Sequence, residues 1–220
     1  MNTSNRPYKC LLFGLILMLS ACTGTPTREV SPVVTPQSQF FSDDFTHPHS
    51  DWARFDIEAG AAYIHNEEFF LEDRGKNIAI YSPLVNQKYE DVRISLAVRH
   101  VQGSMDNWMG VICRQQDEGN YYLLAISADG YYLIQRVENN EELALSGPEI
   151  SEAIHNGKVS NQLEATCQGS HLSLRVNGEL LATVSDVALS KAGQVAVFAD
   201  AVPGGGTTTV AFDNFTLSTP

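Results

Sequence analysis

Pairs of adjacent carboxylates are the residues of this sequence that could perform hydrolytic chemistry: Glu67-Glu68, Glu72-Asp73, Glu90-Asp91 and Glu141-Glu142. Cleavage of a glycosidic bond takes two carboxyl groups that face the same sugar, about 5 to 10 Å apart. Neighbouring residues of a strand point to opposite faces of a sheet, so none of these pairs can flank one bond. Gly-x-Ser-x-Gly, His-Glu-x-x-His and phosphate-binding glycine motifs are also absent. We therefore predict a protein that is not an enzyme, with an unfamiliar hydrolase or lyase site as the open alternative.

The amino terminus carries a more specific chemical signal. Arg6 and Lys9 precede an apolar run from Leu11 to Leu19, which is the arrangement of a secretory signal peptide. The run is too short to span a bilayer, which takes about 20 apolar residues. It ends in Leu19-Ser20-Ala21-Cys22, and this tetrapeptide resembles the bacterial lipobox.

The lipobox resemblance implies that the Cys22 thiol receives a diacylglycerol and that the peptide bond before it is cut. The new amino terminus would then be acylated, which makes palmitate an expected modification and the lipid bilayer a partner. Several acyl chains anchor persistently, because each buried methylene contributes about 0.8 kcal/mol. Thr23 follows Cys22 where Asp would favour the inner membrane, so the same resemblance favours the outer membrane in a Gram-negative cell. The alternative is an ordinary signal peptide with a cysteine there by chance.

Three segments follow from this interpretation: a signal peptide over residues 1–21, the lipidated cysteine and a flexible linker over 22–39, and one domain over 40–220. The linker contains Pro26, Pro32 and Pro36 among Thr, Ser and Val, a composition typical of an extended spacer. The net charge of −12 becomes −14 once the two positive charges of the signal peptide are removed. An acidic protein is repelled by phosphates, so we expect no nucleic acid partner.

The remaining sequence has the period-two pattern of β-strands. Val92, Ile94, Leu96 and Val98 alternate with residues that face the other way. Asp129-Gly130 and Asn177-Gly178 each separate two such runs, and both dipeptides favour tight hairpins. About a dozen short strands without intervening helices predict an all-β fold, a jelly-roll sandwich of two antiparallel sheets. Where the apolar phase changes, beside Asp213-Asn214, we predict a bulge or an edge.

Several stretches resemble the concanavalin A-like lectin/glucanase superfamily, and in particular its laminin G-like bacterial lipoprotein domains. They are Asp43-Asp44-Phe45, Trp52, Gly110-Val111-Ile112-Cys113-Arg114, Asn120-Tyr121-Tyr122, Asp129-Gly130, Val176-Asn177-Gly178 and Phe212-Asp213-Asn214-Phe215. The resemblance covers about residues 40–217 and rests on turn residues and core aromatics, so it implies the fold more strongly than any ligand. Glucanases of this superfamily carry a Glu-x-Asp-x-x-Glu string on one strand, and the sequence has none.

Two cysteines remain once Cys10 leaves with the signal peptide and Cys22 is lipidated. Cys113 and Cys167 form an even pair in an oxidising compartment, and we expect a disulfide between them, with two buried free thiols as the alternative. Asp44 near the first strand and Asp213 near the last would supply hard oxygen ligands for a structural Ca²⁺ if the terminal strands pair. The alternative is that both acids cap turns. No cofactor is required by any motif.

A sugar-binding surface would be built from Trp108 to Tyr132, the part of the sequence richest in aromatics. Sugar recognition uses exposed rings and a few polar groups at the rim. We expect Trp108, Arg114, Tyr122 and Tyr132 to form such a platform, with core packing as the alternative for each. Trp52 is expected in the core.

The predicted function is therefore that of an exported, membrane-anchored lipoprotein with a non-catalytic β-sandwich that binds a polysaccharide, a glycoconjugate or another envelope polymer. Two alternatives stay open. One is a structural lipoprotein that docks an envelope protein along a sheet edge, and the other is a polysaccharide-active enzyme.

Overall fold

The computed structural model describes residues 39–47, 51–202, 204 and 206–220, which are built from β-strands and turns without an α-helix. The strands are β1 (Gln39–Asp43), β2 (Phe55–Ile57), β3 (Gly60–His65), β4 (Glu68–Asp73), β5 (Ile80–Pro83), β6 (Val92–Gly103), β7 (Asn107–Asp117), β8 (Asn120–Ile126), β9 (Tyr131–Glu138), β10 (Glu141–Ile150), β11 (Asn161–Gln168), β12 (His171–Val176), β13 (Glu179–Ser185), β14 (Gln194–Ala201) and β15 (Thr208–Ser218). None of the described residues forms a helix that could cross a membrane. The predicted signal peptide, Cys22 and the linker up to residue 38 lie outside the described residues.

Two antiparallel sheets face each other. One has the strand order β13-β12-β11-β6-β15-β4-β3-β2, with β1 paired to the second half of β15, and the other has the order β10-β9-β8-β7-β14-β5. Apolar side chains between the sheets form one large core. The predicted all-β, two-sheet jelly-roll sandwich is confirmed.

The hairpins follow the turn chemistry of the sequence, with one exception. Asn177-Gly178 joins β12 to β13 with positive φ at both residues, and Gly130 has positive φ in the turn between β8 and β9. The apolar pattern of residues 62–71 predicts one strand, but the structure has two, β3 and β4, because the chain reverses at Asn66-Glu67 with φ of 48° and 63°. Residues other than glycine seldom adopt a positive φ, so the apolar pattern of this segment does not predict the turn.

The pairing of the last strand confirms the predicted bulge. Against β6, the register of β15 shifts between Asp213 and Thr216, and Asn214 has a positive φ of 51°. The extra residue restores Phe215 and Leu217 to the core face after Phe212.

The core contains a cluster of aromatic rings and a disulfide that joins the two sheets. Trp52 is 3% exposed and packs edge-on against Phe215 with ring centroids 4.7 Å apart, as expected of a core residue. Cys113 of β7 and Cys167 of β11 are bonded, which confirms the predicted pair. Because β7 and β11 belong to different sheets, this bond joins the two layers of the sandwich.

Candidate binding face

The six-stranded sheet carries a second apolar cluster on the face that points away from the sandwich core. In β7, Met109, Val111 and Cys113 belong to the main core, so the alternate residue Ile112 faces outward. It packs with outward residues of the neighbouring strands, Tyr121, Leu123, Ala125, Val137, Ala196 and Phe198. Trp108 and Tyr81 are partly buried against this cluster. The outer face of the sheet is therefore apolar and aromatic at its centre.

A hollow of about 360 Å³ opens at the Trp108 end of this face. The rings of Trp108 and Tyr131 line it, together with Asp106, Ser127 and Asp129, and Pro148 and Val202 complete its wall. Its size falls in the range of small-molecule pockets, which combine apolar walls with a few polar groups. The site thus has rings for C–H stacking and carboxylates for hydrogen bonds with sugar hydroxyls.

The β8–β9 turn positions Tyr131. Ser127 Oγ donates a hydrogen bond to Asp129 Oδ1 and accepts one from the Tyr131 backbone N–H at 2.9 Å. The Gly130 N–H donates to the Ser127 carbonyl at 3.2 Å. These bonds hold the turn, and with it the ring of Tyr131, beside Trp108.

Buried polar contacts hold the other wall of the hollow. Asn107, the residue before Trp108, accepts a hydrogen bond from the Ala128 N–H at 2.9 Å and donates one to Thr208 Oγ1 at 2.9 Å. Asn107 thereby ties the start of β7 to the β8–β9 turn and to the other sheet. Trp108 and Tyr131 are therefore presented by strand ends that are cross-linked through hydrogen bonds.

The two tyrosine doublets each place one ring on either side of the sheet. Tyr122 is fully buried, donates to Asp186 Oδ1 at 2.6 Å, and accepts from the Leu189 N–H at 3.1 Å. Burial, followed by the bond to Asp186, raises the pKa of Tyr122 to about 12. Tyr132 is 7% exposed, lies in the main core and donates to Glu149 at 2.8 Å. The outward rings are Tyr121 and Tyr131.

Arg114 also lies inside the protein. It is 1% exposed, and its guanidinium donates to the carbonyls of Glu90 (2.8 Å) and Leu189 (3.2 Å) and to Asp91 (3.2 Å). A positive φ of 51° at a register shift of β7 turns it away from the outer face. Of the four residues expected to form an exposed platform, Trp108 lines the hollow, and Arg114, Tyr122 and Tyr132 do not. Tyr131 was not among the four expected residues. The adjacent pair Tyr131-Tyr132 does indicate that one of the two rings faces outward, because neighbouring residues of a strand face opposite sides of the sheet.

Asp200 of β14 pairs directly with Trp108 of β7 across the sheet. Burial raises the pKa of Asp200 to about 7, and the carboxylates of Asp73 and Glu142 add to the rise. Glu142 belongs to the edge strand β10 and has the same outward phase, because it pairs with Val137. The face is therefore acidic as well as aromatic.

A second hollow, of about 550 Å³, lies toward the other end of the same face. Tyr81 and Tyr121 line it with Phe55, Ile57 and Ile78. Burial raises the pKa of Tyr121 to about 12. Nearby, Gln115 is 3% exposed, and its Oε1 atom has no hydrogen-bond partner among the described residues.

The residues expected to hold calcium cap turns. Asp44 Oδ1 accepts hydrogen bonds from the backbone N–H and the hydroxyl of Thr46, and these bonds lower the pKa of Asp44. Asp213 accepts from the backbone and side chain of Asn214, and its pKa is raised, first by burial. Within the described part of the chain, no three His, Cys, Asp or Glu side chains are grouped to hold a metal. Asp44 also lines a hollow with Asp43, Asp51 and Asn214, the neighbour of Asp213, and calcium binding by Asp44 and Asp213 stays a prediction.

Comparisons with known proteins identify the fold. The structure is similar to the carbohydrate-binding module CBM66 from Bacillus subtilis, with a TM-score of 0.61, 15% identity, and coverage of 77% of this chain and 96% of that one. It is similar to the catalytic domain of an endo-1,3-β-glucanase (laminarinase) from Thermotoga petrophila, with a TM-score of 0.61, 8% identity, and coverage of 84% and 98%.

A third similar structure is the β-glucanase of Bacillus licheniformis, with a TM-score of 0.59, 12% identity, and coverage of 83% and 98%. No protein-family model matches the sequence, and no curated protein sequence matches it. The neighbours are thus carbohydrate-binding modules and glycoside hydrolases that share the sandwich fold with this chain.

Proposed function

We propose that the protein is an exported lipoprotein, anchored through Cys22, whose β-sandwich binds glycans on the outer face of its six-stranded sheet without cleaving them. The observation that carries the binding function is the hollow in which Trp108 and Tyr131 stand beside carboxylates. Rings with polar groups at the rim are the means by which proteins hold sugars.

Two further observations support a glycan as the ligand. The structurally similar proteins include a carbohydrate-binding module and two glucanases. The second hollow, lined by Tyr81 and Tyr121, lies on the same face as the first. Two aromatic sites on one face suit a chain of several sugar units.

Display at a membrane surface follows from the lipobox-like sequence that ends at Cys22. Lipid chains on this cysteine would hold the domain at the bilayer, and the proline-containing segment after it would act as the spacer. A glycan-binding lipoprotein of this kind would gather polysaccharide or glycoconjugate at the cell envelope.

A glycan array with the full-length protein in detergent tests the binding function. We expect specific binding by the wild type and its loss in Trp108→Ala. Trp52→Phe, a change in the core, is the matched control and should leave binding intact. A folded wild-type protein that binds no glycan on the array would refute the proposal. Incubation with the bound glycan, followed by analysis of its length, tests the non-catalytic role, and shortened products would make the protein an enzyme.

Docking of an envelope protein is the second candidate, because the edge strands of both sheets expose apolar side chains. Leu143 and Ile150 of β10 are 49% and 67% exposed, and Leu180 of β13 is 50% exposed. An edge strand can accept a further strand from a partner. Cross-linking from position 143 in cells, with exposed position 162 on the interior strand β11 as a control, would capture a partner if this candidate is correct.

A further inference from the structure

The polar groups of the Trp108 hollow include two carboxylates and no base. Asp106 and Asp129 line it, Ser127 adds a hydroxyl, and the described lining contains no lysine, arginine or histidine. Asp200 pairs with Trp108 across the sheet and adds a third carboxyl group at this end of the face.

Several positive charges of the domain are paired with acids away from this hollow. Arg74 and Lys76 pair with acids near β2, Arg99 pairs with Glu68, and Arg136 pairs with Asp186. In the part of the chain that the structure describes, no ion pair within 4.0 Å includes Asp106, Asp129 or Asp200. The carboxylates of the hollow therefore have no partner cation among the described residues.

Carboxylates beside aromatic faces favour one class of ligand group. An ammonium group is attracted by the quadrupole of a Trp or Tyr ring and also by the carboxylates, whereas a uronic acid or a sulfated sugar is repelled by the carboxylates. A neutral sugar gains the stacking without the charge attraction. Of the charge classes of sugar, the cationic one gains from both the rings and the acids.

We infer that the Trp108 hollow binds a protonated amino sugar, a glycan unit with a free amine at one carbon, and that Asp106 and Asp129 recognise its ammonium group. This inference rests on the proposed glycan-binding function and specifies the substrate class of that site. The sugar ring stacks on Trp108 or Tyr131, and the charge lies toward the acidic wall.

The test compares two glycans with the same backbone and length, a hexamer of β-1,4-linked glucosamine and the same hexamer fully N-acetylated. Titration calorimetry with the full-length protein in detergent at pH 6 measures both. We expect the deacetylated hexamer to bind at least about tenfold more tightly, a difference that falls as salt is added. The variant Asp106→Asn/Asp129→Asn should reduce this ratio toward one, and Trp108→Ala should weaken both ligands.

A matched control separates local recognition from the attraction of a polycation to an acidic protein. Glu67→Gln/Glu179→Gln removes two negative charges from exposed side chains, in the β3–β4 turn and on β13, which belong to the nine-stranded sheet and line neither hollow. An equal loss of preference in this control would overturn the inference. Because Asp129 also caps its turn, Asp106→Asn alone serves as the second variant, and an unchanged ratio in it would count against a role for Asp106.

The remaining outcomes distinguish this inference from the proposed function. If both hexamers bind equally and Trp108→Ala weakens both, the amino-sugar inference is wrong and the glycan-binding function stands. If neither hexamer binds and another glycan does, the inference is wrong as well. If no glycan binds to the folded protein, both are wrong.

Discussion

Tyr131 and Tyr132 are adjacent in the sequence and differ in the side of the sheet that they face. Tyr131→Ala removes a ring from the hollow, so we expect glycan affinity to fall by about tenfold, the scale of a contact that contributes strongly to binding. Tyr132→Phe removes only the hydroxyl that donates to Glu149, while the ring stays in the core, and should leave affinity unchanged. Titration of both variants with the glycan identified on the array measures the difference. A larger loss of affinity in Tyr132→Phe than in Tyr131→Ala would mean that Tyr131 does not belong to the binding site.

The raised pKa of Asp200 predicts how the free energy of unfolding depends on pH. Its pKa of about 7 in the folded protein lies above the ordinary 3.8, so the folded state keeps a proton that the unfolded state releases. Stability from this group is therefore lost as the pH rises from about 4 to about 7. Asp200→Asn has no such loss, and we expect it to be more stable than the wild type at pH 8 by on the order of 1 to 2 kcal/mol after allowance for solvent screening, with no difference near pH 4.

Urea denaturation of the wild type and Asp200→Asn at pH 4, 6 and 8 measures this effect, and Glu179→Gln at an exposed position of β13 is the control. A wild type that gains stability relative to Asp200→Asn as the pH rises would contradict the assigned direction.

Single residues differ in how well the sequence predicts their positions. Trp52 and the pair Cys113–Cys167 could be placed because their types are usually buried or bonded in this setting. Arg114 could not, since a charged side chain in a strand suggests a surface. The backbone of Arg114 has a positive φ at a bulge. The two backbone carbonyls that accept its hydrogen bonds belong to residues 24 and 75 positions away in the sequence.

At the scale of elements, alternation and turn chemistry predicted most of the strands. β6, β12 and β13 follow the period-two pattern and the Asn-Gly turn. The sequence does not predict β10, because it is an edge strand whose residues are exposed or half-buried on both faces and form no apolar row. The placement of Trp108 beside Tyr131 could not be predicted, because it depends on the register of β7 against β8 and of β8 against β9.

The disulfide between β7 and β11 is the covalent link between the sheets, and its removal tests how much it stabilises them. Closing a loop with a sequence separation of 54 residues contributes about 4 kcal/mol in the chain-entropy account. We expect Cys113→Ala/Cys167→Ala to lower the free energy of unfolding by roughly that amount, as measured by chemical denaturation. Addition of a reductant should lower the wild-type value toward that of the variant and leave the variant unchanged. A loss below about 1 kcal/mol would show that core packing alone holds the sheets together.

At the scale of the whole molecule, the negative net charge repels the membrane surface to which the proposed lipid anchor would attach the domain. A net charge of −14 after removal of the signal peptide disfavours contact with anionic head groups. Electrostatics would therefore not hold this domain on a bilayer, and the proposed attachment would depend on acyl chains at Cys22. The same charge repels acidic polysaccharides and attracts cationic ones, in agreement with the ligand class inferred for the Trp108 hollow.

The anchor itself is tested by the two cysteines of the amino-terminal segment. With the full-length protein expressed in a Gram-negative bacterium and labelled with palmitate, we expect label in the wild type and in Cys10→Ala but none in Cys22→Ala. Mass spectrometry of the mature amino terminus should then begin at a lipid-modified Cys22. Because one acyl chain binds a membrane only marginally while several bind persistently, the wild type should stay in the membrane fraction through washes with high salt. An unlabelled, salt-extracted wild type cleaved at another residue would mean an ordinary signal peptide, and glycan binding would then belong to a secreted protein.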